Sequence, residues 1–436
     1  MDVHRTGELS VEQVAAALEE GDVAIQPGTA RAALRHRDFR IFWMGLFASN
    51  IGTWMQNIIM GAYLQKNFDD ARLLGLKEFV QLGPLVFLSL FAGAIADTVD
   101  RRRYLVTMQT LQLSGSAVLA FLVAPDDPAA TPIIACLLCI GIANAMGGPG
   151  MSAISPSLVP KEDLPGAISL FSFQMNMSRV IGPIIGQFLY NRSNSNAGAS
   201  TVFAINAATY LFAIYGLLRA RYPRRAGAGF DGGLFDRFLS GLRLAWHDRL
   251  LRRILFILWT LSFFSLNFIS FMPAHADRNL GIDPKSDPYG VLYACFGFGA
   301  AAGAMSVGSF LARRDKALLI RPGLFLMGIF LALFALLRTD WIAYPLVLLL
   351  GYAYFMTITS LSTVMQSNIE EEVRGRVIAL WIMGFGGAVG IAAIIWGPVA
   401  EWSVRWLLLA GAAWTFVLAA GFAAPRALRR TIGQVT

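Results

Sequence analysis

The chain is a succession of apolar runs, each near the roughly 20 residues that a helix needs to cross a hydrocarbon layer about 30 Å thick. Lipid offers no partner for backbone N–H and C=O groups, so runs of this length must fold as membrane helices. The alternating strands, roughly ten residues long, of an outer-membrane barrel are not written in the sequence. About twelve spans are expected, over residues 41–64, 73–96, 104–123, 132–154, 166–190, 201–218, 254–274, 289–311, 317–337, 342–363, 376–398 and 406–424. Composition agrees: 56% of the 436 residues are hydrophobic and 15% charged, against about 25% charged in ordinary soluble domains.

Charge then sets orientation. With both termini in the cytoplasm, about 27 of the 36 Lys and Arg fall on the inner side and about eight on the outer, with Arg179 left inside a span. The formal net charge of +8 is therefore a topology signal. It does not point to nucleic acid, because no basic soluble domain is present to carry that role. The expected location is a bacterial inner (plasma) membrane, crossed many times.

The first 40 residues read as a cytoplasmic arm. Its acidic stretch from Glu8 to Asp22 lacks the apolar core and cleavage site of a secretory signal. Ser10 and Gln13 have capping-box spacing for a short helix ending at Gly21. Cys136, Cys139 and Cys295 lie within spans, and the four His are scattered, so neither a metal site nor any cofactor is expected.

Two segments repeat. SLVPKEDLPGAISL (157–170) and QSNIEEEVRGRVIAL (366–380) both precede a glycine-rich span, about 210 residues apart, as expected of two halves inserted the same way up. The expected organisation is an arm over 1–40, a six-helix half over 41–218, a basic linker over 219–253, a second six-helix half over 254–424 and a tail over 425–436. In the linker, LFDRFLSGLRLAWHDRLLRR carries an apolar stripe at 234, 235, 238, 239, 242, 245 and 246 with basic flanks, the pattern of a helix lying on the inner membrane surface.

Between the second and third spans stands GAIADTVDRRR, residues 93–103. Gly93, Asp97 and Arg101, Arg102 and Arg103 resemble the loop signature of the major facilitator superfamily, G-x-x-x-D-x-x-G-R-[RK], with Asp100 where the family has Gly. RDFRIFW leading to SNIGTWMQ (37–56), SRVIGP (178–183), GLRLAWHDRLLRRILF (241–256) and EEVRGRVIAL are similar to the subfamily of enterobactin-exporter and macrolide-efflux type proteins. The resemblance implies an all-α membrane protein of twelve helices in two parallel-repeat halves, the major facilitator fold. It also implies a secondary transporter, not an enzyme, working by alternating access and driven by protons.

A carboxylate at the end of a helix opposes the negative end of the helix dipole, so Asp97 needs a positive partner. Arg374, Gly375 and Arg376 begin span eleven at the same membrane face and offer one. A latch of Gly93, Asp97, Arg101 and Arg102 with Arg374 and Arg376 would then hold the halves together on the cytoplasmic side. The plainer alternative is that the arginines only fix topology and Asp97 neutralises one of them. Asp100 is tolerated in left-handed turn conformations, so the loop is expected to keep its turn without the usual Gly.

Cargo contacts are sought among polar residues inside spans, because each is costly there unless it faces a cavity or a partner. Asn50, Thr53, Gln56 and Asn57 share one face of span one, and Ser172, Asn176 and Arg179 repeat on one face of span five. Span ten adds Thr359, Thr363 and Gln366. Arg179, the one charge placed deep in a span, is a candidate for attracting an anion or gating; its alternative role is an interhelical hydrogen-bond staple, and packing is the alternative for the neutral residues.

Gly182, Pro183 and Gly186 resemble the fifth-span signature of superfamily antiporters, with Gln187 in place of a usual Gly. Proton coupling comes from the resemblance, since the nearest carboxylates are Glu78, near the outer end of span two, and Asp277, just past span seven. No phosphate-cradling Gly-Lys motif or nucleophile elbow is present, which argues against ATP-driven work by this chain and against hydrolysis. The leading expectation is a monomeric exporter of amphipathic small molecules of siderophore or drug type, with a small-molecule substrate, a proton and membrane lipids as partners. The alternatives are a lipid or lysophospholipid flippase and a non-transporting membrane assembly or scaffold protein on the same fold.

Overall fold

The computed structural model describes residues 28–154, 157–193, 195–221, 243, 246–311, 314–369 and 371–421, with backbone only at 89, 90, 92–98, 149, 152, 153 and 371–376. The proposed arm helix at Ser10–Gly21, most of the linker stripe and the tail lie outside the described residues. Among the described residues there is no strand.

The first half comprises α1 (Ala30–Arg35), α2 (Arg37–Phe68), α3 (Ala71–Thr98), α4 (Arg101–Leu122), α5 (Ala130–Ile154), α6 (Leu164–Asn191) and α7 (Ala197–Arg219). The second comprises α8 (Arg249–Phe264), α9 (Asn267–Ser270), α10 (Met272–His275), α11 (Asp287–Gly308), α12 (Ala317–Leu336), α13 (Asp340–Ser367), α14 (Glu371–Ile382) and α15 (Ala388–Gly421). Helix lies over each of the expected spans. Among the described residues, eight helical stretches are long and apolar enough to cross a membrane.

The breaks have local causes. Span seven is interrupted after Phe264, where Asn267 turns its side-chain amide back to the Phe263 carbonyl at 2.8 Å and Pro273, lacking an N–H, sits in the first turn of α10. The segment ends in a π-helical turn, Ala276–Leu280, closed by Gly281 at φ 68°. Span eleven likewise passes from α14 through a π turn at Met383–Gly387 into α15. Ser403, extended at φ −165° and ψ 109°, divides α15 into two arms, within the gap expected between 398 and 406.

The 93–103 junction does not use the left-handed conformation that Asp tolerates. Asp100 has a φ of −59°, and its carboxylate caps α4 by accepting the Arg103 N–H at 2.9 Å. An N-cap acid satisfies an orphan donor and faces the positive end of the helix dipole. The position therefore favours Asp for a reason other than turn conformation. Arg102 donates to the Ala220 carbonyl at 2.7 Å, tying α4 to the end of α7. Asp97, Gly93, Arg374 and Arg376 lie outside the described side chains.

Two glycine seams join the halves. Along α3 and α15, a Cβ on Gly75 would overlap the Ala393 carbonyl, and one on Gly390 would stand 2.7 Å from the Gly83 nitrogen. Along α6 and α11, a Cβ on Gly297 would stand 3.0 Å from the Arg179 carbonyl oxygen. Small residues let backbones approach closely where lipid supplies no hydrophobic drive.

The membrane end that carries Asp100–Arg103, Lys161 and Lys316 is the basic face. There α1 is clasped onto the start of α6: the Asp163 carboxylate accepts the Gly28 N–H at 3.0 Å and meets His36 Nε2 at 2.7 Å. The His36 side chain, then the Gly28 N–H, hold the Asp163 carboxyl below the usual carboxylate range. A depressed carboxylate adds stability that is present above its unfolded pKa and lost as pH falls through the folded one. Amides of 28–36 are thus expected to exchange faster with solvent in Asp163→Ala at neutral pH, and in the unsubstituted protein only on acidification below about pH 4. Hydrogen exchange checks both; equal protection in the two proteins at neutral pH would remove the clasp.

Candidate transport cavity

Between the two halves lies a cavity of about 490 Å³. Its walls come from α2, α3, α4, α5, α6 and α7 on one side and from α9, α10, α11, α13, α14 and α15 on the other. The lining is mixed. Trp54, Tyr293, Tyr354, Phe355, Trp381 and Phe385 supply aromatic surface, and Asn50, Thr53, Asn57, Gln81, Gln112 and Asn144 supply hydrogen-bonding groups. Pockets for organic molecules commonly combine mostly apolar walls with a few polar groups that fix orientation.

Asn50, Thr53, Gln56, Asn57, Glu78 and Arg179 all line this space. They are not equivalent. Gln56 is buried, and its Oε1 accepts from Ser116 Oγ at 2.7 Å and Asn206 Nδ2 at 2.8 Å, so it ties α2 to α4 and α7. Thr53 donates to the Ser49 carbonyl at 3.0 Å and stands 3.3 Å from the Tyr210 hydroxyl. Asn57 accepts from Gln81 at 3.2 Å, a link between α2 and α3.

Glu78 belongs to the cavity itself, seven residues inside α3 and hence about 10 Å from its start. Its partner is Lys77, at 2.8 Å, and both side chains are largely buried. Sequence reasoning missed Lys77: a Lys near the end of a span reads as a snorkelling interface residue. The available signal was the adjacent acid, which lets a buried lysine keep a counter-charge.

Ser172, Asn176, Thr359 and Thr363 do not line the cavity. Asn176 donates to the Ser172 carbonyl at 2.8 Å and Thr363 to the Thr359 carbonyl at 2.8 Å, each within its own helix. Asn176 is at lining depth, since Met175 beside it lines the cavity, but its amide turns back along its own helix; for the other three the reason is depth. Ser172 lies seven residues from Arg179 along α6, about 10 Å nearer the basic face, and Thr359 and Thr363 lie beyond the lining Phe355 in the same direction.

Arg179 has a singular environment. Its guanidinium carbon lies 5.2 Å from the Trp54 ring centroid and 4.7 Å from that of Phe355, so the group touches aromatic surface from both halves. It makes no hydrogen bond or ion pair with any described residue. The interhelical staple would require such bonds.

The end of the cavity away from the basic face is shut. Arg278, in the π turn after α10, donates to the Asp69 carboxylate at 2.9 Å, the Asp69 carbonyl at 2.6 Å and Glu401 at 3.0 Å. Glu401 in turn accepts the Ala71 N–H at 2.7 Å, Lys66 pairs with Asp283 at 2.8 Å, and Gln65 donates to Asp277 at 3.1 Å. Asp277 therefore belongs to this outer cluster. Burial opposes ionisation of Asp283, yet Lys66 and the Lys285 N–H hold its carboxyl below the usual carboxylate range. Asp69 is held in a left-handed conformation, φ 44°, which Asp tolerates better than most residues, and there it caps α2. Among the described residues, the hydrogen bonds that cross between halves gather at this end.

A helical body with a central cavity shut at one end has the architecture of a membrane transporter. The sequence profile of the transmembrane secretion effector family, within the major facilitator superfamily, matches residues 28–431, and the chain belongs to that family. The enterobactin exporter EntS of Salmonella typhimurium is 25% identical over 386 residues, 85% of this chain and 89% of that one. Macrolide efflux protein A of Streptococcus pyogenes is 20% identical over 361 residues, 81% and 87% of the two chains. The staphyloferrin A transporter of Staphylococcus aureus is 29% identical over 176 residues, 40% of this chain and only 43% of that one.

Solved structures share the fold. The nucleoside transporter NupG superposes with a TM-score of 0.68 at 13% identity, covering 89% of this chain and 98% of that one. A bacterial homologue of the human lysosomal transporter Spinster, inward-facing and unoccupied, gives 0.68 at 14% identity over 88% and 96%.

Proposed function

We propose that the protein is a secondary active exporter of amphipathic small molecules, of siderophore or drug type, working by alternating access with twelve membrane crossings and both termini in the cytoplasm. The observation that carries the proposal is the central cavity, lined by both halves with aromatic and amide groups and shut at the outer end by cross-half bonds. In this reading the structure is the state open toward the cytoplasm. Cargo enters between the halves, contacts Asn50, Thr53, Asn57 and Arg179, and leaves once the outer cluster parts. The 93–103 junction, with Asp97 set against Arg374 and Arg376, forms the opposing latch of the outward-open state. Proton entry drives the cycle, with Glu78 as its carboxylate; the ion pair of Glu78 with Lys77 inside the cavity supports that assignment.

The relatives named for enterobactin, macrolide and staphyloferrin A transport support a cargo of siderophore or drug type. Purified protein in proteoliposomes, given a panel of siderophores and amphipathic drugs, should move at least one of them against its gradient when a pH gradient is imposed. Movement of lipid alone, or of nothing in the panel, would contradict the exporter reading.

Orientation has its own test. In a background with Cys136, Cys139 and Cys295 replaced, Asp126→Cys should react with an impermeant thiol reagent on intact cells, and Lys161→Cys only after permeabilisation. The reverse pattern would invert the inner and outer assignments.

A further inference from the structure

Among the described residues, three charged side chains line the cavity: Lys77, Glu78 and Arg179. Lys77 and Glu78 neutralise each other at 2.8 Å, which leaves the Arg179 charge uncompensated among those residues. An arginine held without an acid partner in a partly dry site is costly, and the Trp54 and Phe355 rings offset only part of that cost through cation–π contact. Guanidinium groups pack with their plane against aromatic faces. Packed so, Arg179 keeps its N–H edge for a ligand, and a fork of N–H donors matches the two oxygens of a carboxylate.

We infer that the cavity is selective for amphipathic monoanions, whose carboxylate is received edge-on by Arg179 while the apolar body lies against Trp381, Phe385 and their neighbours. The inference rests on the exporter reading for its physiological meaning and names the charge class of the cargo. One carboxylate cancels the one uncompensated charge. A cation of the same shape meets like charge in a site of low dielectric. Because Arg179 stands on α6 and Phe355 on α13, an anion bound there also sits where the two halves meet.

The test is equilibrium binding to the full-length protein in nanodiscs, followed by quenching of tryptophan fluorescence and by calorimetry, with 2-naphthylacetate, the neutral 2-naphthylacetamide and the cation 2-naphthylethylamine. The acid should bind about thirtyfold more tightly than the amide, the size of a charge-assisted bidentate contact, and the amine more weakly than either. Arg179→Gln should make acid and amide equal. Arg179→Lys, which keeps the charge and loses the fork, should retain part of the preference and shows that the loss is not one of folding. Equal affinities in the unsubstituted protein, no binding of the acid, or a preference that survives Arg179→Gln would each overturn the inference. Because binding is read without flux, a protein that selects the acid but transports nothing would refute the exporter reading and leave the anion site standing.

Discussion

Arg278→Ala opens the end of the molecule away from the basic face. The side chain is three-quarters buried and binds both the carboxylate and the carbonyl of Asp69 across the halves, while holding Glu401 of its own half beside the Ala71 N–H, so its removal breaks the cross-half bonds to Asp69 and frees Glu401. Asp69 is itself exposed, which screens that pair and lowers its worth. The bond to the Asp69 carbonyl crosses the halves as well, and the Glu401 contact, within the second half, acts indirectly by orienting Glu401 toward the Ala71 N–H. Taken together, about 2 kcal/mol of bias toward the closed outer end is lost, roughly a thirtyfold change in the ratio of closed to open molecules. Spin labels at Asp127→Cys and Arg338→Cys, on outer loops of opposite halves, should give one short distance in the unsubstituted protein and a second, longer population in Arg278→Ala. Arg278→Lys should fall between them, since charge persists without the fork. An unchanged distance distribution would mean that Lys66–Asp283 and the glycine seams suffice to hold the outer end.

Asn206→Ala is the substitution with the largest expected cost to stability. Asn206 is fully buried, donates to Gln56 at 2.8 Å and to Ser116 at 3.2 Å, and joins three helices of the first half through one network. Interhelical hydrogen bonds in membranes average about 0.6 kcal/mol; truncation removes two of them, to Gln56 and Ser116, and also leaves a cavity where the amide was. The sum is about 2 kcal/mol, read as a drop of several degrees in Tm in detergent. Naphthylacetate affinity per folded molecule should be retained, because Asn206 does not line the cavity. A cycle with Ser116→Ala should show coupling, as expected of residues sharing one network. Additive effects would place Gln56, Ser116 and Asn206 in separate, independent contacts.

What the sequence could show follows from the physics of each feature. The fold was legible because crossing lipid demands a run of apolar residues, and that demand writes itself locally along the chain. The break in α15 was visible for the same reason, as a gap between two runs. The interruption of span seven was not, because Asn267 and Pro273 look like isolated polar and turn residues within an otherwise apolar stretch.

The cavity was legible only in part. Helical periodicity gives the angle of a residue around its helix but not its depth relative to the other helices. Arg179 and the Asn50–Asn57 face were therefore found, while Ser172, Thr359 and Thr363 lie too near the basic face and Asn176, beside the lining Met175, bonds back to its own helix. Arg278, Asp69 and Glu401 were invisible as a set: each reads as an ordinary loop charge, and Glu401 lies 330 residues from the Ala71 amide that it binds. Lys77 and Glu78, adjacent in sequence, would point about 100° apart on an ideal helix, so their pairing inside one cavity has no periodic signature.

The central claim is that cargo passes through the cavity between the halves, and blocking that cavity tests it most directly. In the cysteine-replaced background, Asn57→Cys places a thiol on the cavity wall, and Thr201→Cys places one on the exposed face of α7 as a control. A bulky methanethiosulfonate reagent should abolish proton-driven flux in proteoliposomes when it modifies Asn57→Cys, should leave flux through Thr201→Cys unchanged, and should react more slowly with Asn57→Cys when cargo is present. Undiminished flux through fully modified Asn57→Cys would contradict the account.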